Sequence, residues 1–278
     1  MTENNARIFV VPFNEKVLAL AGDRRLAVRA GAPGEIGRIA ETVSPGRLHS
    51  IEAEAESLAG LEIKKEWRNL PLVFRLKKAG RLLDALPALD SLRDCAARFY
   101  FPATAENISA ARALSSLLVK TGLVLTEPGT DWGALEDLLA YDSCGKMPHA
   151  SVEPFLYAYT EHKNPRADYN ELYLEKEGTF FHCDADGNVA LSRAALARGE
   201  FIGSLEKPAG LDLSGHSLAA REKGRAPLLK FEGCSVCRAW RVCGFRNSES
   251  GKPCAMKNFM SELAAAAEQV NKNADNNI

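Results

Sequence analysis

No run of roughly 18 apolar residues occurs in this chain of 278 residues, so nothing in it reads as a membrane-spanning helix. The amino terminus, Met1 to Arg7, lacks the basic and apolar regions of a secretory signal. A cytoplasmic protein with reduced thiols is therefore expected. Neither sign of charge is in excess. Lys and Arg number 35 against 36 Asp and Glu, a net charge of -1, and this balance names no partner. Phosphate-binding loops are missing as well: Gly31-Ala32-Pro33-Gly34 and Gly203 open no strand-to-helix turn of that kind. There is no internal repeat. Cysteine is absent until Cys95.

What is present is concentrated late in the chain. Four of the seven cysteines, Cys234, Cys237, Cys243 and Cys254, follow the spacing C-x2-C-x5-C-x10-C. A Cys-x-x-Cys turn brings two sulfurs to one side of a loop, where both reach one metal. Two further cysteines complete a four-thiolate set. Soft thiolates in such a set suit zinc or an iron–sulfur cluster. Two disulfides, a structural zinc knot and four separate buried thiols are the competing readings. Spacing alone does not separate zinc from iron–sulfur.

Patterning along the chain indicates an α/β fold. Arg7 to Pro12 reads as a first strand, and Lys16 to Leu20 as its partner. A turn at Ala32-Pro33-Gly34 precedes a short helix from Glu35 to Thr42. Residues 51–60, rich in Ala and Glu, read as helix. Leu72 to Leu76 is a buried strand, and Leu82 to Leu92 is helix-like but broken at Pro87. Ala96 to Phe101 is a strand. A helix from Ala105 to Thr121 follows, with Ile108, Ala111, Leu114, Leu117 and Leu118 on one face. Gly122 stops it, and Leu123 to Thr126 is another strand. Asp131 then caps a helix through Trp132, Leu135, Leu138 and Leu139. Strand and helix alternating at this spacing predict a parallel sheet or part of a barrel. Asp142 to Ser151 reads as loop, and Glu161 to Asp168 as a linker. A hairpin follows over residues 171–190, with turns at Gly178 and at Asp184 to Gly187. The tail beyond Ser261 reads as helix.

Residues 170–254 resemble the SPASM domain, which follows the catalytic barrel in many radical S-adenosylmethionine enzymes. Gly178-Thr-Phe-Phe-His-Cys183 matches the family's G-x4-C. Asp186-Gly187-Asn188-Val189 resembles the turn of its hairpin, and Phe201 to Leu205 its short G-N-L segment. Cys234, Cys237 and Cys243 match C-x2-C-x5-C, with Cys254 as the final cysteine. The family's cysteine before Gly178 is missing, and Asn247 stands where another is expected. The resemblance thus implies one [4Fe–4S] cluster on Cys234, Cys237, Cys243 and Cys254, with Cys183 left as a buried strand residue. The C-x3-C-x2-C triad that such enzymes carry after the first barrel strand is absent throughout.

The resemblance implies a degenerate or partial (β/α) barrel over residues 1–160, a small α+β SPASM-like iron–sulfur domain over 170–260, and a carboxyl-terminal helix and tail over 261–278. In particular the chain resembles the stand-alone SPASM-domain protein of GeoRSP systems. That implies an accessory protein without its own radical activity. The partners implied are a radical SAM/SPASM enzyme and a small leader-peptide-binding protein, with a peptide as substrate. Residues 221–258 hold nine Lys or Arg against three Asp or Glu. With Arg238, Trp240 and Arg241 inside the metal loop, this stretch suits an acidic peptide or a redox partner. A zinc-bearing structural or nucleic-acid-binding module is the alternative, with Trp240, Phe245 and Phe259 for stacking. A third reading is an enzyme using Glu153 and Asp137 as acid and base, with His149 and His182 as further candidates. Carboxylates at such places are more often capping or solvated groups.

Overall fold

A computed structural model of the chain describes residues 7–58, 61, 63–81, 84, 89–125, 129–161, 179–207, 210–213, 215 and 257–275. In chain order the elements are β1 (Ile8–Pro12), α1 (Glu15–Leu20), β2 (Arg25–Ala30), α2 (Ile36–Thr42), β3 (Leu48–Ala55), β4 (Leu72–Leu76), α3 (Leu89–Asp94), β5 (Arg98–Pro102), α4 (Ala105–Ser116), β6 (Thr121–Val124), α5 (Trp132–Cys144), α6 (Phe155–Glu161), β7 (Phe180–Cys183), β8 (Asn188–Ala190), α7 (Arg193–Ala197), β9 (Gly203–Ser204) and α8 (Lys257–Asp275). Close contacts divide the chain into two units. One comprises Met1–Phe99 with Tyr173–Ala219, the other Tyr100–Leu172 with Ala220–Ile278. The hairpin of β7 and β8 belongs with the first strands.

In the first unit the strands run in the order β4, β3, β2, β1, β7, β8, β9. The pairs from β4 to β7 are parallel, while β7, β8 and β9 are antiparallel. The later part of the expected hairpin is therefore present, with Asp184 in its turn accepting from the backbone of Asp186 and Asn188, while its first arm and Gly178 turn lie outside the described residues. Its strand β7 pairs in parallel with β1, Phe9 opposite Phe181 and Val10 opposite His182.

Successive strand side chains point to opposite faces, so register sorts the sheet into two surfaces. One face carries Phe9, Val11, Leu26, Val28, Ile51, Ala53, Leu72, Phe74 and Phe181, all buried. Helices α1 and α2 pack on the strands β1 to β3 and bury Val17, Ile36 and Ile39. The opposite face carries Arg29, Ser50, Glu52, Arg75 and His182.

Two expected elements differ here. Lys16 to Leu20 is helix, not strand. Asn14 caps it by accepting from the backbone N–H of Lys16 and Val17. Residues 51–55 are strand, not helix, despite the helix-forming Ala and Glu. Pairing with β2 and β4 overrides propensity, and alternation puts Ile51 and Ala53 in the apolar layer.

In the second unit α4 stops at Ser116, short of the expected Thr121. Leu118 adopts a left-handed φ of 63°, and Val119 N–H reaches back to the Leu114 carbonyl. This geometry ends the helix and leaves Leu117 and Leu118 exposed. Gly122 lies inside β6 rather than at a helix end, because any Cβ there would enter the Tyr100 ring. Asp131 caps α5 as expected, accepting from Ala134 N–H. That helix continues to Cys144, into the stretch expected to be loop. Along α8, Phe259, Met260, Leu263 and Ala267 fall on one face and are buried against α5 and α6. Phe259 sits 5.7 Å from the Trp132 ring and 6.1 Å from that of Phe155.

Candidate functional site

The carboxyl ends of parallel strands are where α/β folds place their chemistry. In the first unit those ends carry an ionic cluster. Arg29 stands near the end of β2, Glu52 beside it on β3, Arg75 on β4, and Arg193 at the start of α7. The register pairs Arg29 with Glu52, and alternation turns both to the polar face. Glu52 is buried, its side chain 2% exposed. Its Oε1 lies 2.5 Å from Arg75 Nε and 2.5 Å from Arg193 Nη2. Arg193 also approaches Glu54 at 4.0 Å. Arg29 instead donates through Nη2 to the Cys183 carbonyl. Burial pulls Arg29 below its ordinary value, and the like charge of Arg193 adds to this. Glu52 pulls the other way.

Neighbouring groups are tuned too. Cys183 is fully buried on β7, and desolvation pushes its thiol up to about 12, outweighing nearby Arg29. A thiol so placed stays protonated and is a poor nucleophile. Alkylation with iodoacetamide at pH 8 should therefore spare Cys183 and buried Cys95 while modifying exposed Cys144. Peptide mapping reads this, and modification of Cys183 at the Cys144 rate would contradict the buried environment.

His49 Nδ1 accepts from Arg25 Nη2 at 3.0 Å. Burial, then Arg25 and Arg98, depress it to about 4. The unfolded state, near the ordinary 6.5, binds a proton first as pH falls. Stability supplied by neutral His49 is thus complete above about 6.5 and is lost as pH drops toward 4. After screening of this half-buried ring the loss is about 1 kcal/mol. Urea titrations of wild type and His49→Gln between these limits should differ in slope with pH. Parallel slopes would remove His49 from the pH response.

The other residues singled out in the sequence fall elsewhere. His182 is buried on the polar face of β7, in the first unit. The rest lie in the second. Asp137 is exposed on α5. Glu153 is 8% exposed, and its backbone bridges to Gly122 in parallel. The His149 ring nitrogens meet the carbonyls of Met147 and Asp142 at 2.9 and 3.1 Å, which pins the loop after α5. Burial raises the Asp142 carboxyl, against the Tyr159 hydroxyl and the Val152 N–H. Phe259, offered for base stacking, is buried and unavailable for it. Cys234, Cys237, Cys243, Cys254, Trp240 and Phe245 lie outside the described residues. Among the described residues no group of three or more His, Cys, Asp or Glu is placed to hold a metal.

Sequence reading missed Glu52 and its arginines. The signal was present: Ser50, Glu52 and Glu54 alternate with Ile51, Ala53 and Ala55, a period of two.

Comparison with known proteins bears on the fold. The solved structure of polyhistidine-tagged anSMEcpe with bound AdoMet is similar, with a TM-score of 0.57 and 10% sequence identity, over 98% of this chain and 96% of that one. Neither protein-family models nor curated proteins give a match. At this identity the likeness is one of fold: an α/β architecture with a largely parallel sheet. No helix among the described residues is long and apolar enough to cross a membrane.

The first strand allows a direct test of fit to AdoMet chemistry. In radical S-adenosylmethionine enzymes three cysteines follow the first barrel strand. Here β1 passes to α1 through Phe13 and Asn14 alone, and Asn14 is committed to capping. No thiolate is available there, so these residues do not fit an AdoMet-binding cluster.

Proposed function

We propose that this chain is an accessory iron–sulfur protein related to radical SAM/SPASM maturases. In this reading Cys234, Cys237, Cys243 and Cys254 hold one [4Fe–4S] cluster. The chain supports peptide modification by a partner radical SAM/SPASM enzyme, alongside a small leader-peptide-binding protein. One observation carries the reading. The fold matches an AdoMet-bound protein over 98% of the chain, yet the connection after β1 is two residues long and holds no cysteine. The scaffold is thus of the radical-enzyme kind without the thiolates that such chemistry needs.

Four cysteines would satisfy every iron of the cluster, leaving no open position for Lewis-acid work. Electron transfer or a structural role remains. Arg238 and Arg241 beside the thiolates would raise the reduction potential and favour an acidic partner.

Anaerobic purification followed by iron, sulfide and zinc analysis tests the reading. About four irons and four sulfides per chain, with absorbance near ~400 nm that bleaches on reduction, are expected. About one zinc without colour would replace it with the zinc-binding structural or nucleic-acid-binding module, which the excess of nine basic over three acidic residues in 221–258 favours.

A further inference from the structure

Among the described residues the ionic cluster on the polar face brings three guanidiniums, Arg29, Arg75 and Arg193, to two carboxylates, Glu52 and Glu54. The hydrogen bonds set Arg29 apart from the other two. Arg75 and Arg193 both approach Glu52 Oε1, while Arg29 has a backbone carbonyl as its hydrogen-bond acceptor. Its Nε is buried and has no hydrogen-bond partner among the described residues. The same is true of the Ser50 hydroxyl, on the same face and 1% exposed. A buried donor left unmade costs roughly 1–3 kcal/mol. Arg29 lies near the carboxyl end of β2 and Ser50 two residues before Glu52 on the same face of β3, so the two unpartnered donors open onto one polar surface.

We propose that this face binds the carboxylate of a ligand, with Arg29 as the receiving guanidinium and Ser50 as a second donor. A planar carboxylate matches the planar guanidinium edge, whereas a tetrahedral phosphate matches it less well. The carboxylate belongs either to a small acid or chain terminus, or to an acidic side chain of a peptide. The site is independent of the cysteine cluster and stands if that reading fails.

The full-length protein, labelled with nitrogen-15, is titrated while the Arg29 Nε–H resonance is followed. That resonance is assigned by its loss in Arg29→Lys. N-acetylglycine mimics a terminal carboxylate, N-acetylglutamate α-amide mimics an acidic side chain, and inorganic phosphate is the competing anion. A saturable shift with either carboxylate, weaker with phosphate, is expected, and the tighter probe identifies the source. Calorimetric affinity should fall at least about tenfold in Arg29→Met, in line with loss of a charge-assisted hydrogen bond. Should Arg29→Met fail to fold by circular dichroism, Arg29→Lys and Ser50→Ala give the reading. Lysine keeps the charge but lacks the fork, so weaker binding is again expected. No saturable shift, tighter binding of phosphate, or unchanged affinity in the folded Arg29 and Ser50 variants would overturn the site.

Discussion

Glu52→Ala is expected to lower stability by about 3 kcal/mol, read as a shift of the urea midpoint with an unchanged slope. The size follows from burial. The Glu52 side chain is 2% exposed, while those of Arg75 and Arg193 are 18% and 25% exposed. Both cations converge on one oxygen of one carboxylate. Removing it leaves two partly desolvated guanidiniums facing each other and takes away the carboxylate that opposes Arg29 most strongly. Breaking such a set by deleting one member costs far more than the set contributes in net terms, because the remaining charges keep their desolvation penalty. Glu54→Ala is the control. Its side chain is 74% exposed and 4.0 Å from Arg193, so a change below about 0.5 kcal/mol is expected. If Glu52→Ala were as mild as Glu54→Ala, the cluster would be solvated in practice and its role as a buried anchor would be lost.

Cys237→Ala should sharply lower metal content, whichever metal is present, since losing one of four thiolates opens a coordination position to solvent and weakens the hold of the remaining three. Iron content per chain, or zinc if that is the metal, is expected to fall well below that of wild type. Proteolysis of the region around residues 221–256 should accelerate in the same variant if binding and folding are coupled there. Cys183→Ala should leave metal content unchanged. Its side chain is fully buried in β7, where it packs as a small apolar residue of the strand. Loss of the chromophore in Cys183→Ala would show that Cys183 belongs to the ligand set and that the four-cysteine assignment is wrong.

Much of the architecture was legible in the chain itself, and for local reasons. Strands β1 and β4 are runs of apolar and β-branched residues. The helix after Asp131 announces itself by its cap and its Leu spacing, and the hairpin by the Asp184 to Gly187 turn. These signals are short-range, so neighbours along the chain suffice to read them. The four-cysteine spacing and the missing triad are likewise sequence facts.

Tertiary structure decided the rest. Residues 51–55 have the composition of a helix, and only pairing on both sides makes them a strand. Lys16 to Leu20 could be read as a strand until the parallel pairing of β1 with β2 required a crossover between them. The hairpin's place beside β1 spans about 170 residues of sequence, a separation that no local pattern encodes. The ionic cluster is the plainest case. Arg29, Glu52, Arg75 and Arg193 are ordinary as isolated letters, and their chemistry exists only because strand register brings them to one face at one edge of the sheet. Charge and hydrogen-bond partners are properties of distance in space, and the sequence determines distance along the chain alone.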